Sequence, residues 1–137
     1  MGDSSDGTSQ PQFGDQLTYW KSLKQQAEDG TFTLDASLAT DMKKHAEALR
    51  HHLEDEAYPT ARRLGHIGGF GTLPSSTALQ SAFEAKATTA PDALTTQYKA
   101  AIDIATTMRD TYQIVLSKLT SSDDESAAAL KKQTGKL

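Results

Sequence analysis

Tyr98 to Leu119 reads YKAAIDIATTMRDTYQIVLSKL. Wound into an α-helix at about 100° per residue, it gathers Tyr98, Ala101, Ile102, Ile104, Ala105, Met108, Tyr112, Val115, Leu116 and Leu119 within an arc of roughly 160°. Lys99, Asp103, Thr107, Asp110 and Lys118 fall outside that arc. One packed neighbour covers less than this, so the stretch predicts a helix that needs two or more others against it. The side chains expected to bury a second chain are Tyr98, Ile104, Met108, Tyr112, Val115 and Leu119.

The elements around it follow the same period. Leu17, Trp20, Leu23 and Ala27 recur at spacings of three and four, which predicts a short helix over 15–29, stopped by Gly30. Asp35 is placed to cap a second helix over 35–64. Its narrow apolar stripe is Leu38, Met42, Leu49, Leu53 and Leu64, with Ala46 and Ala57 between. Pro59 falls inside it, where a missing donor and a crowded turn call for a kink or break near 55–59.

Residues 65–74, GHIGGFGTLP, hold four of the nine glycines and form the turn of the chain, with Ile67 and Phe70 folding inward as its apolar plug. A third helix over 76–120 then carries Leu79, Phe83, Ala87, Ala90 and Leu94 into the wide face. Pro91 gives it a kink or a restart, and the unbroken apolar register favours the kink. Ser122, Asp123, Asp124 and Glu125 match a capping box, suggesting that a tail helix over 123–133 begins there or continues with a bend. The polar residues 1–13 are expected to be disordered, leaving 14–133 as one helical domain.

Composition narrows the function. The chain has 137 residues, 14 basic and 18 acidic, for a formal charge of −4 with the two signs interspersed. That supplies no basic footprint for a phosphate backbone, so no nucleic-acid partner is expected. There is no cysteine, hence no disulfide framework and no thiolate site. No apolar run approaches 18 residues, and the opening lacks an apolar core segment of the kind a cleavable signal needs. The expected location is the cytoplasm.

Candidate chemistry is sparse. His45, His51, His52 and His66 lie near Glu47, Glu54, Asp55 and Glu56, yet one heptad separates His45 from His52 and about 100° separates His51 from His52. They read as the polar edge of the apolar stripe, not as metal ligands. The glycine run matches neither the dinucleotide fingerprint nor the P-loop, and there is no nucleophile elbow. No cofactor, metal or catalytic residue is assigned, and the expected protein is not an enzyme. Trp20, beside Tyr19, packs helix one or anchors an interface.

Gly69, Phe70 and Gly71 in the turn, then Leu73-Pro74-Ser75, then Leu79, Phe83 and Lys86-Ala87 leading into a long helix, resemble the WXG100-like (ESAT-6-like) proteins of type VII (ESX) secretion, in particular their longer actinobacterial relatives. The resemblance spans roughly 31–130. It implies an all-α fold, an antiparallel hairpin of two long helices with a short N-terminal helix, which makes a four-helix bundle on pairing. It also implies a partner: another hairpin protein, a second copy, or the N-terminal region of a secreted effector. Export without a cleavable signal would follow. The competing expectation from the residues alone is a self-contained cytoplasmic bundle, an adaptor unconnected to secretion, in which helix one folds back over the wide arc.

Overall fold

The computed structural model describes residues 13–135, all of whose regular structure is helical. Helix α1 spans Phe13–Glu28, α2 spans Ala36–His52, and α3 spans Tyr58–Arg63. Helix α4 spans Pro74–Thr88 and α5 spans Leu94–Thr134. The middle of the molecule is α5: α1 and α2 each pack along it, and α3 and α4 meet it less extensively.

The first connection is set by glycine. Gly30 takes a φ of +79°, its N–H donates to the Ala27 carbonyl at 3.1 Å, and the Thr31 N–H donates to Gln26 at 2.9 Å. This left-handed cap ends α1 and turns the chain back. Asp35 occupies the cap position of α2, its carbonyl accepting from the Ala39 N–H at 2.9 Å, although its carboxylate makes no capping bond.

The expected irregularity near 55–59 is a π turn and not a break at Pro59. A π turn over Leu53–Ala57 lies just before it, in which the Tyr58 N–H reaches back five residues to the Leu53 carbonyl. Widening the turn by one residue accommodates a ring that has no N–H to offer and needs room around the preceding carbonyls. Helices α2 and α3 therefore continue one another from 36 to 63. Across the π turn run three successive i,i+4 pairs: Arg50–Glu54 at 2.6 Å, His51–Asp55 at 2.7 Å and His52–Glu56 at 3.4 Å.

Pro91 does the opposite of what the apolar register favours. The expected 76–120 helix is two helices, separated over residues 89–93. The N–H groups of Thr89 and Ala90 both close onto the Ala85 carbonyl, at 2.9 and 2.7 Å, and Ala93 turns back to Ala90 at 2.9 Å. Proline disfavours the α region for its preceding residue, and at Pro91, where no widened turn makes room for the ring, that backbone constraint outweighs the side-chain pattern. Lys86 clasps Asp92 across the break at 2.9 Å, while Ala93 is wholly buried in the joint. The capping box at 122–125 starts nothing, because α5 runs through it unbroken to Thr134. From Thr120 onward every described residue of that helix is exposed.

The core is built of small residues. Ala27, Ala39 and Val115 form its centre, with Phe32, Leu34, Ile114, Leu116 and Leu119 packed around them. Along the α2–α3 rod the buried side chains are Ala39, Ala46 and Ala61, whereas Leu38, Leu49 and Leu64 of the expected inner stripe are 43–48% exposed. An alanine seam lets two helices come closer than a leucine seam does. The rod has turned by about 60° from the expected orientation to use it.

This arrangement fixes the sign of two substitutions. Ala46→Leu is expected to destabilise the fold by about 1–3 kcal/mol through overpacking. Leu38→Ala, on the outer stripe of the same helix, is expected to cost under about 1 kcal/mol. Urea denaturation in dilute solution compares them; a leucine tolerated at 46 contradicts the seam.

Candidate interaction surface

The wide face of α5 is closed largely by its own chain. Ile104, Tyr112 and Val115 are 9, 5 and 1% exposed, which corrects the expectation that a second chain buries them. Tyr98, Met108 and Leu119 are half-buried. The physical reason is α1. Its Trp20 meets Tyr112 edge-on, with ring centroids 5.7 Å apart at 67°, and Tyr19 meets Trp20 edge-on at 5.9 Å. Aromatic edges on faces give such a short helix an anchor that aliphatic burial alone does not. Burial, and secondarily the neighbouring Tyr19, pushes the Tyr112 hydroxyl above the usual phenol value of 10.0. Beside it the buried Thr111 hydroxyl donates to the Thr107 carbonyl at 2.7 Å, so this hydroxyl enters the core satisfied.

Uncovered apolar surface lies at the other end of the molecule, where α3, α4 and the first turns of α5 meet. Leu49, Leu53, Ala61, Leu64, Leu94 and Tyr98 line an open groove of about 440 Å³, with His52 and Glu56 also on its wall. A second groove of about 310 Å³ shares Leu64 and Leu94 with the first and adds Ile67, Phe83 and Ala87, with Lys86 beside them. The two make one apolar surface. Lys99 of α5 leans over the half-buried Tyr58 ring 5.7 Å from its centroid, a cation–π contact between α5 and the rod.

The glycine turn holds this surface in shape. Gly69 and Gly71 take φ of +88° and +87°, and Phe70 between them is half-buried against Phe83, centroids 6.0 Å apart. The Ile67 N–H donates to Glu84 Oε1 at 3.1 Å, and the same oxygen accepts from Gln80 Nε2 at 3.0 Å. Gly65 is pressed against the Thr88 side chain, leaving no room for a Cβ. Phe70 thus plugs the turn against Phe83 of α4, and Ile67 lines the second groove with Phe83, Ala87 and Leu94. Phe83 and Leu79 of α4 remain 54 and 51% exposed.

The groove was hidden in the sequence because Leu64 and Phe83 read as inner residues of their helices. The signal that could have exposed it is the heptad spacing of Ala39 and Ala46, which competes with the leucines for the inner face. Elsewhere, His51 and His52 are occupied with Asp55 and Glu56 along the rod. Among the described residues no three metal-ligating side chains converge, and no helix is long and apolar enough to cross a membrane. The hydrogen bond and positive charge of Lys86 hold the Asp92 carboxyl below its usual range, consistent with its place at the α4–α5 break. Comparison with protein-family models, curated proteins and solved structures finds no match to this chain.

Two outcomes follow. Gly69→Ala and Gly71→Ala are each expected to lower stability by about 1 kcal/mol or more, since φ is positive at both. Gly68→Ala, where φ is not positive and space is open, is expected to stay within about 0.5 kcal/mol; equal effects at all three positions contradict this account. The second concerns Tyr112, whose raised folded value means that the neutral phenol is the form the fold holds. Its contribution is complete below about pH 10 and is lost as pH rises through the folded value. Tyr112→Phe is therefore expected to flatten the fall of stability above about pH 10, measured by thermal melts at stepped pH.

Proposed function

We propose that this chain is a non-enzymatic helical interaction protein, whose apolar groove receives an amphipathic helix of another helical-hairpin protein. The observation that carries this reading is the continuous apolar lining of Leu64, Ile67, Phe83, Leu94 and Tyr98, left open to solvent where two grooves join. A helix is the occupant that suits it. An interhelical trough with an apolar floor takes side chains repeating every three or four residues, and the rims at His52, Glu56 and Lys86 offer both signs to the charged flanks of such a helix. Burying each large anchor contributes about 1.5–3 kcal/mol before ordering costs, enough for a specific complex from a few residues.

The resemblance carried by Gly69, Phe70 and Gly71 gives the reading its setting. In it the chain is a WXG100-like partner or co-secreted companion in type VII secretion, made in the cytoplasm and exported with its partner without a cleavable signal. Pairing would complete the four-helix bundle. In such proteins a tyrosine followed four positions later by an acid marks the C-terminal tail; here Leu116 follows Tyr112 at that distance. The partner, such as the N-terminal region of a secreted effector, therefore carries the export signal in this proposal.

A second reading is supported by the seating of Trp20 on Tyr112, which gives the chain a cover of its own. On that view it is a self-contained adaptor unconnected to secretion. Co-expression with the helical proteins encoded beside its gene separates the two. The leading reading expects a stoichiometric complex whose affinity falls on the order of thirtyfold or more in Phe83→Asp, with helicity unchanged. It also expects both proteins in the culture medium only when the secretion ATPase is present. A monomer that co-purifies with none of these neighbours, and that stays inside the cell, overturns it.

A further inference from the structure

Leu38, Met42, Leu49 and Leu53 fall within an arc of about 60° on the outer side of α2 and the π turn that follows, beside the alanine seam that faces α5. Leu38 and Leu49 are 48 and 45% exposed, and Met42 and Leu53 are half-buried. Their spacing of four, seven and four residues reads the same in both directions along the helix, about a midpoint between His45 and Ala46. The flank of the stripe away from the seam carries Asp41, His45 and His52, all exposed. Reversing the helix about its midpoint brings Asp41 within about half a turn of His52 on that same flank. The apolar stripe and its polar edge therefore complement themselves about a two-fold axis.

We infer that α2 is a self-association surface, on which a second copy of this chain lies antiparallel. Leu38 meets Leu53 of the second copy and Met42 meets Leu49 of the second copy. An Asp41–His52 pair closes the edge on either side of the axis, His52 giving up its long, exposed 3.4 Å contact with Glu56 to make it, and His45 meets its own counterpart at the axis itself. A two-fold contact is the arrangement in which one patch serves both sides, so a self-complementary surface is what it requires. Leu49, His52 and Leu53 also form the α2 wall of the groove and Phe83 lines its α4 side, whereas Leu38 and Asp41 lie outside it. Substitutions at those positions thus separate this contact from occupancy of the groove.

Sedimentation equilibrium of the full chain over a concentration series is the experiment. The wild type is expected to form a dimer in reversible equilibrium with monomer. His52→Asp, which sets a carboxylate against Asp41 of the second copy, is expected to weaken the dimer on the order of tenfold, because the change is made twice. Combining it with Asp41→His restores the pair with its members exchanged and is expected to recover most of that loss. Leu38→Asp is expected to weaken the dimer at least as much, with circular dichroism unchanged. A wild type that remains monomeric at every concentration overturns the inference. So does a dimer indifferent to His52→Asp, a double variant no better than the single one, or a dimer lost on Phe83→Asp and not on Leu38→Asp.

Discussion

Close approach of the α2–α3 rod to α5 through alanine is the constraint on which the rest of the molecule depends. With Ala39, Ala46 and Ala61 buried, little apolar area per residue is removed from water, and stability must come from dispersion along the closely packed seam and from the few large groups at the ends. It also decides what stays outside. A helix that turns its methyl groups inward must turn its isobutyl groups outward, which is why Leu38, Leu49 and Leu64 end on the surface.

Helix α1 supplies what that seam does not. At 16 residues it is marginal alone, and its hold on α5 rests on Ala27 in the core and on Trp20 against Tyr112. The broad face of α5 thus has two neighbours from its own chain, and the requirement for more than one partner is met without a second molecule at Ile104, Tyr112 and Val115. Surface left over is found where the two prolines interrupt regular packing: after the π turn before Pro59, and at the break before Leu94. Helix α4 hangs between the glycine turn and that break. It is positioned by Phe70 on Phe83, by the Ile67–Glu84 hydrogen bond and by the Lys86–Asp92 clasp.

Much of this was legible in the residues. The period of 3.6 places α1 and α2 close to where they are found, Gly30 ends the first helix as its missing Cβ permits, and the run from Gly65 to Leu73 is the turn. What escaped was the choice between two faces of one helix. Leu38, Met42, Leu49 and Leu53 form one stripe, Ala39 and Ala46 the stripe beside it, and hydrophobicity alone ranks the larger side chains first; only the fit against α5 reverses that order. The two prolines show the same limit. A π turn absorbs Pro59 and a gap of five residues absorbs Pro91, although both carry apolar registers that continue past them, because backbone sterics are invisible to a periodicity count.

The last turns of α5, beyond Leu119, stand clear in solvent, yet they carry an ordered set of charges: Asp123, Asp124 and Glu125 first, Lys131 and Lys132 last. Acid toward the start and base toward the end suit a helix dipole confined to this segment. Ser122 and Glu125 form the box that would cap it there. Should the rod unwind by one turn at Thr120, the outboard piece would keep a start signal of its own, but at about a dozen residues with nothing packed on it, it would not hold its helix alone. The stem therefore draws its winding from the packed turns beneath it, and loosening those turns releases everything beyond them.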